Sequence, residues 1–410
     1  MTGRHRRVLL TPSAALAAAV LAATAASSAA TGGSPDGPPR WPVHSSDGAV
    51  GPLAAPLTRG SAAASATPLE RYRVAPGLRY RHWLQTDGRG TVHAYLLRAN
   101  LERPGLSLEY AGGQHVTDRA PLTSLLAGEA AVAGVNADYF DIADTGAPLG
   151  VGIDDGRVLH GPRSGWTTSF SVTSSARARI GRRSVTAEIV GRPRLRITNL
   201  NSPHVPPGGI GLYTSRWGAA PGYAVTDSAR PRDVRQVVVR HGRVVRNSRS
   251  VASGTPIRGR LLLGRDGGAA DLARRLPVGT RVHVDVSTAG SPRVAVSGRQ
   301  VLVAHGDVIA TDDTELHPRT AVGIDIDTGK VLLVVVDGRS EASSGYTLVQ
   351  LAQLMVRLGA EEALNLDGGG SSTMAVTPPD GALTVANAPS DGQQRPVPEG
   401  LGLVYTAPAG

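Results

Sequence analysis

No cysteine occurs among the 410 residues. That excludes a disulfide framework and a lipid anchor at a cysteine lipobox, so the fold must be held by a core of its own. Aromatic residues make up only 4% of the chain, against 41% hydrophobic residues overall. Valine, leucine and alanine must therefore fill that core, and the length suffices for one large domain or two ordinary ones. So few rings offer no stacking platform for bases, and basic clusters such as Arg177 to Arg183 are too scattered for a nucleic-acid groove. The glycine run at Gly368–Gly370 has neither the G-x-G-x-x-G spacing nor G-K-[ST], which sets aside dinucleotide and nucleotide loops. No H-x-x-H or D-x-H spacing supports zinc or a binuclear centre, so no metal and no cofactor is expected. Beyond the first thirty residues no run is long and apolar enough to span a bilayer.

What is present begins with charge. The formal net charge is +10, which would draw an exported protein to nucleic acid or to phosphate-rich wall polymers. An arginine-rich, lysine-poor composition is equally the product of a GC-rich genome. Arg4, Arg6 and Arg7 precede Val8-Leu9-Leu10 and an alanine-rich stretch through Val20-Leu21, with small residues at Ser28 and Ala30. Residues 1–30 thus read as an export signal, by the general or the twin-arginine route, and the expected location is outside the cell. Pro12 and several Ser and Thr break that stretch, which argues against a membrane helix. Residues 31–68, rich in Pro, Gly, Ala and Ser, read as a disordered tether, and residues 69–410 as one catalytic domain.

Within that domain, Leu78 to Gln85 and Thr91 to Arg98 flank a turn and read as a hairpin, with Gly105 to Tyr110 as a third strand. Pro121 to Ala131 has helical spacing, and Ala131 to Val135 reads as a buried strand. From Phe170 to about Thr288, Val and Ile alternate with Arg between Gly and Pro, as in short antiparallel strands. Ala321 to Asp327 and Lys330 to Val336 form a second hairpin, and leucines at 348, 351, 354 and 358 predict a helix stopped by Gly359.

Three apolar strands end on a carboxylate: at Asn136-Ala-Asp138, at Asp337-Gly-Arg339, and at Asn365-Leu-Asp367-Gly-Gly-Gly-Ser-Ser-Thr373. Three glycines remove every Cβ, so backbone amides can approach a ligand and cradle an anion. Ser371, Ser372 and Thr373 add hydroxyls, and Arg319 follows a φ-fixing proline. Arginine and amides suit a phosphate, and carboxylates suit sugar hydroxyls and glycosidic cleavage.

In that order, Asn136-Ala-Asp-Tyr-Phe140, His317-Pro-Arg-Thr-Ala-Val-Gly323, Val336-Asp-Gly-Arg339 and Asn365 to Met374 resemble the phosphodiester glycosidase family. The resemblance runs from about Leu69 to Tyr405. It implies an α+β fold with a mixed, largely antiparallel sheet under a few covering helices. It also implies hydrolysis of the bond between an anomeric carbon and a phosphate in a glycosyl phosphodiester, of the N-acetylglucosamine-1-phosphodiester kind. Asp367, Asp138, Arg319 and Asp337 become the expected catalytic residues. Asn136, His317, Thr320, Arg339, Asn365, Gly368, Gly369, Gly370, Ser371, Ser372 and Thr373 become the expected binding residues. Mammalian members are disulfide-bonded and membrane-anchored, features this sequence does not share; its composition suggests a GC-rich bacterium, for which a wall or capsule glycosyl phosphate is the expected partner.

Structural roles compete for several of these positions. Asp337 suits a turn, Asn136 suits buried backbone groups, and His317, a loop histidine before a proline, is more often neither a general acid nor a metal ligand. Two other functions stay open: a metal-dependent phosphodiesterase that cuts P–O, and a wall-polymer binding module without catalysis.

Overall fold

After its first residue, the strand Lys330–Val336 is an unbroken apolar run because both of its faces are covered. Val331, Leu333 and Val335 point into one hydrophobic cluster, and Leu332, Val334 and Val336 into another. The computed structural model describes residues 45–46, 50–56, 64–226 and 230–408. Within Val43–Gly410, which packs as one unit, this strand lies near the centre of an eight-stranded sheet. Its order runs Ser65–Ala75, Leu78–Asp87, Gly90–Asn100, Lys330–Val336, Arg319–Asp325, Glu362–Asn365, Val301–Ala304 and Asp307–Val308. Every pairing in that sheet is antiparallel.

One face meets a five-stranded antiparallel sheet ordered Thr384–Val385, Met374–Val376, Ala133–Asn136, Glu399–Tyr405 and Leu106–Gly112. Leu97, Val335 and Leu364 from the first sheet share a cluster with Val135, Met374 and Leu401 from the second. The other face is covered by the helix Leu348–Arg357, which buries Leu348, Leu351, Leu354 and Met355. Thr347 begins it with a capping box: its hydroxyl accepts from the Gln350 amide, and its own amide donates to the Gln350 side chain. Gly359, at φ +94°, ends it. Each of those leucines contributes about 2 kcal/mol of burial, which outweighs the weak intrinsic stability of a ten-residue helix.

Residues between Gly152 and Ser297 build two further five-stranded sheets and two short ribbons, as the alternating pattern predicts. One pairing there, Ile197–Leu200 with Ile210–Thr214, is parallel, so the sheets are mixed but largely antiparallel. The chain is mostly β, with three α-helices among the described residues, so α+β describes it only coarsely. The expected hairpins and helices appear within a few residues of their predicted bounds.

The N-terminal part differs from expectation. An edge strand begins at Ser65, inside the stretch read as a tether. Its first seven residues are exposed, so burial gives the sequence no alternating pattern to reveal it. Pro52 and Ala54 also bond to backbone of Leu316 and Thr314, and Ser46 to that of Phe140. The predicted export signal lies outside the described residues. No described helix is long and apolar enough to cross a membrane.

Candidate active site

In an antiparallel sheet a strand starts where its neighbours finish. Arg319 therefore opens its strand opposite Val336, beside Asp337, while Ala321 lies opposite Asn365 and places Asp367 at the same edge. The five-stranded sheet delivers Asn136 and Asp138 to this edge, and the Asp367 amide donates to the Ala137 carbonyl at 2.8 Å. Residues spread over more than two hundred positions thus share one neighbourhood.

Asn136 is the buried joint of the site. Its side-chain amide donates to the Asp367 carbonyl at 2.7 Å, and its oxygen accepts from the Thr320 hydroxyl at 2.8 Å and the Thr373 amide at 3.0 Å. Thr320 and Asn136 are thereby occupied in holding strands together. Asn365 does similar work, donating to Tyr139 Oη at 2.5 Å and to Gln300. Asn136→Ala would strand three buried partners at about 1–3 kcal/mol each. It should therefore cost about 3 kcal/mol or more, seen as a lowered urea midpoint, and an unchanged midpoint would refute the joint.

The glycine loop is shaped by close approach. Gly369 sits at φ +58°, and a Cβ on Gly370 would fall 2.1 Å from Arg395 and 2.3 Å from Asp391. The amides of Gly369, Ser371, Ser372 and Thr373 all donate within the protein. The loop therefore does not present the row of free amides that its sequence suggests. It presents the hydroxyls of Ser371, Ser372 and Thr373, which are buried and have no hydrogen-bond partner among the described residues.

Two arginines flank this loop. Arg319 is 5% exposed, and its guanidinium is fixed by the carbonyls of Tyr346 at 2.8 Å and Glu315 at 3.3 Å. No carboxylate lies within ion-pair distance of it among the described residues, so a buried cation is left without a counter-charge. Arg339 adopts φ +59°, a strained conformation for a residue with a side chain, and its guanidinium lies against Gly369. It donates to His317 Nδ1 at 2.7 Å, which puts the histidine proton on Nε2, facing Glu315 at 2.9 Å. The Gly51 amide first, and then His317, hold the Glu315 carboxyl below its usual range. With both ring nitrogens engaged, His317 positions Arg339 rather than delivering a proton.

The three carboxylates differ. Asp337 accepts from Asn387 and Ala388 on one oxygen and from Tyr95 and Ala388 on the other. Burial raises its pKa and these bonds oppose the rise, so it anchors the 387–388 loop, where Asn387 also reaches the Ser372 carbonyl. Asp138 is 2% exposed, with Oδ2 on the Gly150 amide at 2.6 Å and Oδ1 buried without a partner among the described residues. Burial, then the charge of Glu399, and further down the charge of Asp367, push its pKa well above the usual carboxylate range. Asp367 itself is fully buried. Asp138 and Asp367 are thus two neighbouring buried carboxylates, each of which disfavours the other's charge.

Sequence reasoning missed the support behind Asp138. Glu399 is fully buried and accepts from Tyr110 Oη at 2.7 Å, with His160 Nε2 at 3.1 Å. His160 Nδ1 meets the Gly150 carbonyl at 2.9 Å, so it carries a proton there. The Gly150 peptide thus links Asp138 to the His160–Glu399 pair. The only hint in the sequence was a lone glutamate heading the apolar strand Glu399–Tyr405.

Comparison with known proteins fits this geometry. Residues 224–404 match the phosphodiester glycosidase family. The family match takes in Arg319, Asp337, Asp367, the glycine loop and Glu399, while Asn136, Asp138 and His160 come from the chain before it. The SPβ prophage-derived uncharacterized protein YomE of Bacillus subtilis (strain 168) is 42% identical over 89 residues, which are 22% of this chain and 13% of that protein. The chain therefore spans a small part of this curated relative. A hypothetical protein from Synechocystis shares the fold at TM-score 0.67 and 23% identity, over 81% of this chain and 63% of its own. A protein of Burkholderia pseudomallei K96243, thought to be exported, shares it at TM-score 0.62 and 24% identity, over 77% of this chain and 74% of its own.

Proposed function

We propose that this protein is a phosphodiester glycosidase that hydrolyses the anomeric C–O bond of a glycosyl phosphodiester, releasing free sugar and a phosphomonoester. The observation that carries this reading is the buried, uncompensated Arg319 on the same sheet edge as the Asp138 and Asp367 pair. A phosphate monoanion supplies the charge that Arg319 lacks, and a sugar's hydroxyls meet Ser371, Ser372 and Thr373.

Water or Asp367 attacks the anomeric carbon as its bond to the phosphate oxygen breaks, and the electron pair leaves with the phosphate. Arg319, oriented in advance by two carbonyls, stabilises that charge with no reorganisation. The leaving group is already ionised, so no strong acid is needed; protonated Asp138 serves as a hydrogen-bond donor to the reacting sugar. Asp367 acts as base on the water or as nucleophile, a role worth about 10²–10⁴-fold. The substrate class we infer is an N-acetylglucosamine-1-phosphodiester-like linkage in a wall or capsule polymer, met outside the cell after export.

Turnover of such a diester in ¹⁸O-labelled water tests this. We expect the label on the released sugar and full activity in EDTA. Label on the phosphate, or loss of activity in EDTA, would replace the reading with metal-dependent P–O cleavage.

A further inference from the structure

Away from the site, the strands Ser65–Ala75 and Leu78–Asp87 place arginine against arginine. Arg71 lies directly opposite Arg81, and Arg73 directly opposite Arg79. Directly opposed side chains sit about 5 Å apart, and like charges there are destabilising. The four line a groove of about 620 Å³ together with Arg357, at the end of the helix Leu348–Arg357. Several arginines elsewhere are paired with acids, as in Arg89–Asp313, Arg293–Glu109 and Arg395–Asp391. In the groove Arg98 alone has one among the described residues, Asp325 at 3.5 Å.

Two plain explanations fall short. Charge on an edge strand guards against edge-to-edge pairing, and Ser65–Ala75 is such an edge. Arg79 and Arg81 stand on the second strand, where no edge needs guarding. Helix-dipole pairing accounts for Arg357 and for none of the others. An anion seated between the opposed pairs turns their repulsion into attraction, and guanidinium forks suit phosphate oxygens.

We propose that this groove is a binding site for a phosphodiester-linked glycan chain, holding the polymer by its phosphates while another part of the same chain reaches the active site. The choice of ligand rests on the proposed function; the anionic character rests on the arginines alone. Nucleic acid fits less well, because the rings nearby are already covered. Trp83 is buried beneath Arg81, 4.6 Å from its centroid, and Tyr72 packs on Tyr80.

The test measures fluorescence anisotropy of a labelled poly(N-acetylglucosaminyl phosphate), an uncharged N-acetylglucosamine oligomer and a single-stranded DNA of matched charge. The proteins are the parent, Arg71→Ser/Arg79→Ser, and Arg240→Ser/Arg258→Ser as a control that removes the same charge from another exposed patch. At about 0.15 M salt we expect the parent to bind the phosphate polymer and not the neutral one. The groove variant should bind it about tenfold more weakly or worse, the control variant like the parent, and turnover of a small diester should be unchanged in all three. Equal weakening in both variants, or none in either, overturns the groove, and tighter binding of DNA overturns the choice of ligand. Binding through the groove without turnover would keep the groove and remove the enzymatic reading; turnover without groove-dependent binding would do the reverse.

Discussion

Asp367→Asn is expected to lower turnover of a glycosyl phosphodiester by about 10³-fold while leaving the protein folded. The substitution keeps the side chain's shape, and the two backbone bonds that fix residue 367, to the Ala137 carbonyl and from the Asn136 amide, do not involve the carboxylate. What is lost is a base or nucleophile at the edge where four strands deliver their polar residues. The loss should appear in kcat, with KM nearly unchanged, because Arg319 and the loop hydroxyls still hold the ground state. Thermal stability should hold or rise, since a buried carboxylate charge has been replaced by a neutral amide. Near-parent kcat in a folded variant would exclude Asp367 from the chemistry. A loss confined to KM would make it a binding group.

How much of this was readable beforehand depends on whether a residue's neighbours lie close along the chain. Lys330–Val336 announced itself because both faces are covered and every position after Lys330 is apolar. The helix Leu348–Arg357 did so because its leucines repeat on one face and Thr347 with Gly359 mark its ends. The convergence of Asp138, Arg319, Asp337 and Asp367 followed from strands that stop on polar residues. The division of labour among them was not readable. Asp337 looks as reactive as Asp367 in sequence, yet Tyr95 and Asn387, from distant strands and loops, occupy its two oxygens. The glycine run looked like an anion nest, and only the fold shows the Pro318 carbonyl taking the Gly369 amide. Glu399 and His160 stand 239 positions apart and carry no local pattern, so nothing short of the fold could pair them.

Asp138→Asn is expected to divide function from stability in a pH-dependent way. Turnover should fall by about 10²-fold, because an amide N–H is a much weaker hydrogen-bond donor to the reacting sugar than a carboxylic acid O–H. Stability should move the other way. The folded pKa of Asp138 is raised by burial first and then by the charges of Glu399 and Asp367, while in the unfolded chain it is near 3.9. Between those two values the folded protein holds a proton that the unfolded chain has lost, so stability is fully present below about pH 4 and falls as pH rises through the folded value. An asparagine mimics the protonated form at every pH and still accepts from the Gly150 amide. The melting temperatures of parent and variant should therefore agree near pH 4 and separate by pH 8, with the variant higher. The groups facing this carboxyl, Glu399, Asp367, and His160 and Tyr110 behind Glu399, remain in both proteins and cancel from the comparison. Parallel melting curves, or a variant less stable at pH 8, would show that Asp138 is ionised in the folded state, and its place as the hydrogen-bond donor to the sugar would fall with that result.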